Sequence, residues 1–296
     1  MRILVTGATG FVGPSIVRRL VDDGHTVRVL EHTAGSSTSL PRQEAVEGSM
    51  TDADSLRAAT EGQDVVVHLV AILTGKPKDF KSVMEQGTRD LLEASRAAGV
   101  RRFVLMSALG TTEGTKDLVP YYGAKWQMEQ DVKASGLEHV ILRPSFIFGP
   151  EGGALGQFKR IAKLAPVTPI VGPGTQRIQP IWIDDVAAYF AASVDKPEAA
   201  NRTFEIGGPD VVTWNEFWSR LKQAQGTRRP SLHVPFGLMR IQAAVLEKLP
   251  KPPVTRDQLK MLAADDNVVS NSDAVDTFRL PLVPLDEQLR RAIAKD

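Results

Sequence analysis

The stretch Arg2 to Gly13, RILVTGATGFVG, decides the fold. Its apolar run ILV is typical of a strand buried on both faces of a parallel sheet. Glycines follow at Gly7, Gly10 and Gly13, where the strand pattern changes to a helical one. In that context Gly7 permits a sharp turn, Gly10 lets the backbone approach a pyrophosphate, and Gly13 allows close contact between helix and strand. The stretch therefore predicts a dinucleotide-binding turn.

Apolar strands and amphipathic helices alternate through the first half of the chain. The predicted strands are RILVTG, TVRVLE, DVVVHLVA and RFVLMSA, and the predicted helices lie near residues 11–23, 51–61 and 80–98. Thr51 with Asp54, and Thr213 with Glu216, resemble capping boxes at helix starts. This order predicts an α/β fold, a doubly wound parallel sheet of the Rossmann type with helices on both faces.

The pattern changes after Pro150, where glycines and prolines become frequent. Strand and helix return at IQPIWIDDVAAYFAASV and RTFEIGG, and the remainder is mainly helical. We therefore predict a dinucleotide-binding domain from residues 1–149 and 178–208. A smaller, mostly helical substrate lobe is predicted from residues 150–177 and 209–296.

Size and composition exclude several classes of protein. The chain has 296 residues, 42% of them apolar, which is enough for a large core and excludes a disordered or fibrous chain. The 36 Lys and Arg are matched by 35 Asp and Glu, so no nucleic acid partner is expected. Cysteine is absent, which excludes disulfides and cysteine-ligated zinc. The five histidines share no metal-site spacing, and no metal is predicted.

The location of the protein is predicted from what the sequence lacks. MRILVTGATG enters a strand directly after Met1, without the charged leader and apolar stretch of a signal peptide. No apolar run approaches the roughly 20 residues that span a bilayer. We therefore expect a cytoplasmic protein without a membrane span.

Glu31 closes the second predicted strand, 18 residues after Gly13. An acidic side chain here accepts hydrogen bonds from the hydroxyls of an adenosine ribose, so NAD(H) is favoured over NADP(H). Two alternatives stay open. His32, Ser36 and Ser37 could accommodate a 2′-phosphate if Glu31 turned away, and Glu31 could be a solvated residue at the end of a strand.

Tyr121 and Lys125 are four residues apart in PYYGAKWQMEQDVKASG, a stretch with a helical pattern, so both lie on one helix face. A lysine ammonium near a phenol stabilises the phenolate and lowers the pKa of the phenol. Tyr121 could then exchange a proton with a carbonyl or an alcohol, and Lys125 could also hold the ribose of a nicotinamide. The alternative is an ordinary surface lysine, and Tyr122 is the competing phenol at a spacing of three.

Several motifs follow one another in an order that resembles a known family. TGATGFVG, VVHLVA, YYGAK, ILRPSFIFGP, WIDDVA and FEIGGPD are similar to motifs of the short-chain dehydrogenase/reductase superfamily, in its extended and atypical branches, often called NAD-dependent epimerases/dehydratases. The resemblance covers nearly the whole chain. FEIGGPDVVTWNEF and VTRDQLKMLAADDNVV look most like the subgroup related to the nucleotide-binding accessory subunit of respiratory complex I.

The resemblance implies hydride transfer between a nicotinamide and a carbonyl or alcohol, with Tyr121 and Lys125 as the proton-transfer pair. It places residues 9–12 over the pyrophosphate, residues 69–71 beside the adenosine and residues 144–146 beside the nicotinamide. The predicted cofactor-binding residues are Gly7, Thr9, Gly10, Phe11, Val12, Gly13, Glu31, His32, Ser49, Met50, Leu69, Val70, Ala71, Met106, Lys125, Pro144, Ser145 and Phe146.

The chain also departs from the family pattern. The usual active-site serine or threonine would fall near Leu109, and Ser107 is predicted to supply the catalytic hydroxyl, with Thr111 and Thr112 as substitutes. Ser49 replaces an acidic residue near the adenine, and Met84 replaces an asparagine. These departures keep open a second function, a non-catalytic nucleotide-binding scaffold or sensor at a respiratory or quinone-related complex.

PFGLMRIQAAVLEKLPKPP near the carboxyl terminus is the remaining pattern of interest. Its apolar residues on one side are Leu238, Ile241, Val245, Leu246 and Leu249. Such a face fits either the core of a helical lobe or a peripheral contact with a membrane or a quinone. The sequence does not specify the small-molecule substrate, and it leaves monomer and homodimer as alternatives.

Overall fold

A computed structural model of the protein describes residues 1–150, 152–247, 255–264 and 266–294. The internal contacts of the chain divide it into two compact units. The first unit comprises Met1–Pro144, Ile183–Ile206 and Asn271–Leu280, and the second comprises Ser145–Trp182, Gly207–Ser270 and Pro281–Asp296.

The described residues form strands and helices along the whole chain. The strands are β1 (Arg2–Thr6), β2 (Thr26–Glu31), β3 (Gln43–Glu47), β4 (Val65–His68), β5 (Arg102–Met106), β6 (Glu138–Pro144), β7 (Ile147–Phe148), β8 (Thr168–Val171), β9 (Arg177–Ile178), β10 (Ile181–Trp182), β11 (Arg202–Ile206), β12 (Val212–Thr213) and β13 (Ser231–Val234). The α-helices are α1 (Gly13–Asp22), α2 (Ala53–Thr60), α3 (Pro77–Asp79), α4 (Gly87–Ala97), α5 (Pro120–Ala134), α6 (Gly153–Leu164), α7 (Ile183–Ser193), α8 (Trp214–Ala224), α9 (Phe236–Leu246), α10 (Arg256–Ala264), α11 (Asp273–Phe278) and α12 (Leu285–Ile293). A π-helix spans Phe80–Gln86, and a 3-10 helix spans Pro197–Ala199.

A seven-stranded sheet in the order β11-β6-β5-β4-β1-β2-β3 forms the centre of the first unit. All of its strand pairs are parallel, and Val5 of β1 pairs with Val29 of β2 and with Val67 of β4. The strand order reverses between β1 and β4, and ligands of open α/β sheets bind at the carboxyl ends of strands beside such a reversal. The prediction of a doubly wound α/β fold is confirmed.

The apolar strands and helices of the first unit share a buried core. Leu4, Val66 and Phe103 of the sheet pack in one cluster with Leu91 of α4 and Met128 of α5. All five side chains are fully buried. Burial of each contributes about 1.5–3 kcal/mol relative to exposure, which explains why the strands are continuous apolar runs.

Four segments lie in a different unit from the one predicted: residues 145–149, 178–182 and 207–208 belong to the second unit, and the longest segment, 271–280, belongs to the first. Residues 271–280 were assigned by sequence to the substrate lobe, but they cluster with the first unit. Phe278 at the end of α11 packs edge-on against Tyr189 and Phe204, with ring centroids 5.3 and 5.0 Å away. No local pattern predicts that residues 271–280 pack against the first unit, because the contact joins three aromatic residues that are distant along the chain.

The second unit is built from helices and short strand pairs, namely β7 with β10, β8 with β13, and β9 with β12. Its core includes a cluster of aromatic rings with centroids 5.3–5.6 Å apart, formed by Phe148, Phe158, Trp214, Phe217 and Trp218. Edge-to-face contacts of this kind add stability beyond the buried area.

The first turns of α8 and α2 show whether the predicted capping boxes form. At α8 the backbone N–H of Glu216 donates to the Thr213 hydroxyl at 3.2 Å, and the Glu216 carboxylate accepts from the Thr213 N–H at 2.8 Å. This capping box is confirmed. At α2 the prediction was wrong, because Asp52 rather than Thr51 occupies the cap and accepts from the N–H of Asp54.

The apolar carboxyl-terminal segment is only partly described. Leu238 and Ile241 of α9 are exposed, whereas Ala243 is buried. Leu249 and the side chain of Val245 lie outside the described residues. No helix in the described part of the chain is both long and apolar enough to cross a bilayer.

Candidate nucleotide-binding and catalytic site

The glycine-rich turn connects β1 to α1. Gly7 has a φ of +77°, and a Cβ at this residue would lie 2.9 Å from the backbone nitrogen of Val70. The N–H of Gly10 donates to the Gly7 carbonyl at 3.1 Å, which closes the turn. A Cβ at Gly13 would overlap the carbonyl oxygen of Ala8. Side chains at Gly7 and Gly13 would therefore push the turn away from its neighbours.

The start of α1 is suited to an anion. No side chain caps the helix at Val12, and its first turn contains no acidic residue. Thr9, Gly10 and Phe11 of the turn are exposed. Unpaired N–H groups at a helix start carry partial positive charge and point toward an approaching anion. The turn thus fits the pyrophosphate of a dinucleotide.

Glu31 lies at the carboxyl end of β2, and its side chain is buried. Its two carboxylate oxygens accept hydrogen bonds from the N–H groups of Gly35 at 2.7 Å and of Ser37 at 2.8 Å. The side chain of Ser37 and these backbone bonds lower the pKa of Glu31. The carboxylate is therefore ionised, and it also orders the loop that follows β2.

A cavity of about 70 Å³ lies beside this loop. Its polar lining consists of Thr9, Arg18, Ser36, Ser37, Thr38 and Gln43. The predicted residue His32 is exposed on the same loop. Arg18 is the cation in a lining otherwise made of hydroxyls, an amide and apolar groups, so the cavity has the chemistry to hold a polar or anionic part of a ligand.

Tyr121 lies in the first turn of α5 and packs partly buried against the core of the first unit. Its ring centroid is 6.0 Å from that of Tyr122. Its hydroxyl forms no hydrogen bond with any residue that the structure describes. Burial, and secondarily the neighbouring Tyr122, raise the pKa of Tyr121. The phenol is therefore protonated and its hydroxyl is available to a ligand.

Lys125 lies one turn further along α5 and is almost fully buried. Its Nζ donates to the carbonyl oxygen of Met106, at the end of β5, at 2.6 Å. Burial lowers the pKa of Lys125 to about 7, although the charge of Glu129 acts in the opposite direction. A group with a pKa near neutrality changes its charge readily during proton transfer.

His68 occupies the end of β4 close to this lysine. Burial, and secondarily the charge of Lys125, lower the pKa of His68 to about 3, so the imidazole is neutral. Its Nδ1 lies 2.6 Å from the hydroxyl of Thr6, and its Nε2 lies 3.0 Å from that of Thr88. His68 thus links β1 and β4 to α4 beneath the carboxyl ends of the strands.

Ser107, predicted to supply a catalytic hydroxyl, is engaged elsewhere. Its Oγ donates to the Glu129 carboxylate at 2.6 Å. Glu129 is fully buried and forms a two-pronged ion pair with Arg143, with N···O distances of 2.8 and 2.7 Å. Burial alone would lower the pKa of Arg143, but the hydrogen bond and charge of Glu129 raise it. The geometry gives Ser107 a structural partner.

The loop after β5 holds the other candidate hydroxyls. Thr111 is fully buried, and its Oγ1 has no hydrogen-bond partner among the described residues. Thr112 is exposed, and its Oγ1 lies 3.0 Å from that of Thr115. Leu109 is buried and donates its N–H to the Pro144 carbonyl at 3.0 Å. A buried unpaired hydroxyl is a candidate to pair with a ligand or a water.

Most of the predicted residues meet at the carboxyl ends of β1, β4 and β5. Gly7 approaches Val70, the N–H of Leu69 donates to Thr6 at 3.0 Å, and Lys125 contacts Met106. Ala71 follows β4 and is exposed. The predicted adenosine and pyrophosphate residues therefore share one edge of the sheet.

The remaining predicted residues have other surroundings. The hydroxyl of Ser49 lies 3.0 Å from that of Thr51, and Met50 is buried against Gly87. Pro144 ends β6 in the first unit, whereas Ser145 and Phe146 belong to the second. Ser145 donates to the carbonyl of Gln179, and the Phe146 ring packs edge-on against Trp214. No group of three metal-ligating side chains exists within the described ranges.

The sequence reasoning missed the ion pair between Glu129 and Arg143. Two signals could have found it. Glu129 lies four residues after Lys125, on the same side of the helix, and Arg143 interrupts the apolar strand HVILRP. A charged side chain within a buried strand requires a partner of opposite charge. Arg143 therefore predicts a buried acidic residue on a neighbouring helix.

Substitution of Lys125 by Met is expected to stabilise the folded protein at pH 7 and to change its pH dependence. The ordinary pKa of 10.5 applies to the unfolded chain and about 7 to the folded one, so unfolding takes up a proton between these values. The free energy of unfolding of the wild type should therefore rise with pH in this window by about 1.4 kcal/mol per unit.

Urea denaturation at several pH values within this window measures the effect. The Lys125→Met variant should lack the rise, whereas the exposed-site control Lys81→Met should retain it. An unchanged slope in Lys125→Met would show that the lysine is charged in the folded state throughout.

The described geometry, a glycine turn between a buried strand and a helix beside a reversal of strand order, defines a Rossmann-type nucleotide-binding protein. Residues 7–197 match a family model described as NAD(P)H-binding. The chain belongs to this family, whose model covers about two thirds of it.

Similar proteins include enzymes and a respiratory subunit. The chain is 30% identical over 240 residues to a ceramide reductase of Caulobacter vibrioides, covering 79% of this chain and 73% of that protein. It is 28% identical over 306 residues to the mitochondrial NADH dehydrogenase (ubiquinone) 1 alpha subcomplex subunit 9 of Arabidopsis thaliana, covering 95% and 73%. The crystal structure of UDP-glucose 4-epimerase from Thermotoga maritima shares the fold, with a TM-score of 0.77 at 23% identity over 100% of this chain and 98% of that chain.

Proposed function

We propose that this protein is an oxidoreductase or epimerase that transfers hydride between a nicotinamide dinucleotide and a carbonyl or alcohol. The observation that carries the proposal is the pair on α5: a protonated Tyr121, whose hydroxyl has no partner among the described residues, and a buried Lys125 with a pKa of about 7 one turn away. The dinucleotide, when bound, supplies or accepts the hydride.

In the reductive direction Tyr121 donates its proton to the carbonyl oxygen of the substrate. The remaining phenolate is stabilised by the ammonium of Lys125, which the Met106 carbonyl holds in place. In the oxidative direction the phenolate accepts the proton of the alcohol. The raised pKa of Tyr121 keeps the phenol protonated before a ligand binds, and a positive charge close to its hydroxyl lowers that pKa when the proton is transferred.

Thr111 is the hydroxyl that we assign to the substrate oxygen. Ser107 donates to Glu129, and Thr112 is exposed and paired with Thr115. Thr111 alone of these three is buried without a partner in the described part of the chain. A ligand oxygen that pairs with it removes the cost of an unsatisfied buried group, which is about 1–3 kcal/mol.

NAD(H) is the dinucleotide that we propose. The ionised Glu31 at the end of β2 repels a 2′-phosphate and accepts hydrogen bonds from free ribose hydroxyls. Arg18, which lines the adjacent cavity, acts in the opposite direction because its charge attracts a phosphate. A comparison of the four nicotinamide dinucleotides decides between these effects.

Titration calorimetry with NAD⁺, NADH, NADP⁺ and NADPH tests this site. Gly10 is exposed and its φ is not positive, so Gly10→Asp places a carboxylate in the anion site, with its Cβ 3.2 Å from the carbonyl oxygen of Gly7. It should weaken dinucleotide binding about tenfold or more. Gly114→Asp, at another exposed glycine, is the matched control and should bind as the wild type does. Folded wild-type protein that takes up no dinucleotide would contradict the proposal.

A second candidate function is that of a scaffold or sensor that retains the dinucleotide without turnover. The commitment of Ser107 to Glu129 favours it, as does the similarity over 95% of the chain to the respiratory subunit of Arabidopsis. This function predicts a tightly held dinucleotide with an unchanged redox state and co-purifying partner proteins. A substrate-dependent change in the absorbance of reduced nicotinamide, across a library of carbonyls and alcohols, would exclude it.

A further inference from the structure

Positive charge is concentrated in two segments of the second unit. Residues 152–182 and 217–246 contain no Asp or Glu, but they contain nine Lys and Arg. The rest of the chain has 27 Lys and Arg against all 35 Asp and Glu, a net charge of −8. The nearly neutral total of +1 therefore conceals a strong separation of charge.

Six of these nine cations form no ion pair with an acidic residue that the structure describes. Lys159 is buried, Arg177 pairs with Asp266 at 2.7 Å, and Arg220 lies 3.4 Å from Asp286. The others take part in no ion pair among the residues that the structure describes. They are Arg160, Lys163, Lys222, Arg228, Arg229 and Arg240.

Hydrogen bonds bring the two segments together. The guanidinium of Arg229 donates to the carbonyl of Ala165, just after α6, at 2.8 Å. Lys222 donates to the carbonyl of Arg229 at 3.1 Å and to the hydroxyl of Ser231 at 2.7 Å. Strand β13 pairs with β8, so the end of α6, β8, β13 and the loop before β13 form one local structure.

Exposed apolar side chains occur in the same two segments. Nine large apolar residues are exposed in the described part of the chain, and five of them lie here. They are Leu164 at the end of α6, Val167 in the loop that follows, Leu232 on β13, and Leu238 and Ile241 on α9. Leu238 and Ile241 are 58% and 67% exposed and are three residues apart, so they lie on one side of α9.

We propose that the basic apolar surface, made of these five apolar residues and the six cations without ion pairs, docks on an anionic lipid membrane. Leu and Ile side chains enter the interface between headgroups and acyl chains, and Lys and Arg pair with the anionic headgroups. A nucleic acid would use the cations but leave the exposed Leu and Ile in water. A second copy of this surface would bring like charges together.

Co-sedimentation with lipid vesicles tests the proposal without any enzymatic turnover. The protein should bind vesicles of phosphatidylcholine with phosphatidylglycerol more strongly than vesicles of phosphatidylcholine alone, and less strongly as salt is added. Loss of one cation weakens such binding about fivefold, so Arg228→Gln with Arg240→Gln should weaken it about 25-fold. Leu238→Ser with Ile241→Ser should also weaken it.

Matched variants of the first unit serve as controls. Leu73→Ser removes a side chain that is 63% exposed, and Arg96→Gln removes an exposed cation. Both should bind vesicles as the wild type does. All variants should have unchanged circular dichroism and urea midpoints, because every substituted side chain is exposed.

Three results would overturn the proposal. The first is equal binding, or none, to the two kinds of vesicle. The second is retention on duplex DNA that exceeds retention on anionic vesicles at equal salt. The third is a dimer, seen by analytical ultracentrifugation, that Leu238→Ser with Ile241→Ser abolishes, which would assign the surface to a second copy of the chain. Since none of these readouts depends on a bound dinucleotide, they are independent of the proposed function.

Discussion

Tyr121→Phe is expected to lower kcat/KM for hydride transfer by about 10²- to 10⁴-fold, the usual contribution of a positioned general acid. The substitution removes one oxygen that has no hydrogen-bond partner among the described residues, so packing in the first unit is kept. The measurement is the rate of nicotinamide oxidation or reduction with the best substrate of the carbonyl and alcohol library. Dinucleotide affinity, measured by calorimetry, should change little.

Tyr122→Phe is the matched control for this experiment. The Tyr122 hydroxyl donates weakly to the carbonyl of Leu109, at 3.4 Å, and its removal should have a small effect on rate. Equal rates for wild type and Tyr121→Phe would contradict the role of Tyr121. A large loss in Tyr122→Phe with a normal Tyr121→Phe would assign proton transfer to the competing phenol.

Glu129→Gln is expected to lower the free energy of unfolding by about 3 kcal/mol, because it leaves the charge of Arg143 in a buried site without its partner. Arg143 is mostly buried, and the nearest other carboxylate, that of Glu205, is 3.9 Å away. Urea denaturation provides the measurement. Glu93→Gln, at an exposed residue of α4, should change stability by less than about 0.5 kcal/mol.

A double variant distinguishes the energy of the ion pair from the energy of packing at the two positions. Glu129→Leu with Arg143→Leu removes both charges, and it should be more stable than either single leucine variant, because no buried charge is left unpaired. Additive losses in the double variant would mean that the two side chains stabilise the fold independently. Ser107 loses its acceptor in Glu129→Leu, so a normal turnover rate there would agree with its structural role.

Local patterns were sufficient to predict the fold. Gly7 and Gly13 follow an apolar strand. Any residue with a side chain would collide there with the backbone of Val70 or Ala8, so glycine is required at both positions. The alternation of strands and helices in the first half likewise predicted the parallel sheet. The spacing of Tyr121 and Lys125 placed both on α5, since helical periodicity is a property of neighbouring residues.

The state of the site could not be predicted in the same way. The pKa of Lys125 is near 7 because the whole sheet and α5 exclude water from its ammonium, and no local pattern contains that information. The contacts of the Glu31 carboxylate with the N–H groups of Gly35 and Ser37 could not be predicted, because these residues reach it only when the loop folds back. Ser107 was predicted to be catalytic, and its acceptor Glu129 comes from a different element.

The sequence by itself determined the α/β fold, the glycine turn and the helix that carries Tyr121 and Lys125. These features depend on the backbone preferences and apolar periodicity of consecutive residues. Only the tertiary structure decided which hydroxyls and cations lack partners among the described residues, and which lysine loses its charge near pH 7. Burial and partner choice are set by residues far apart in the chain, and the free energy of a charge or a hydroxyl depends on those surroundings.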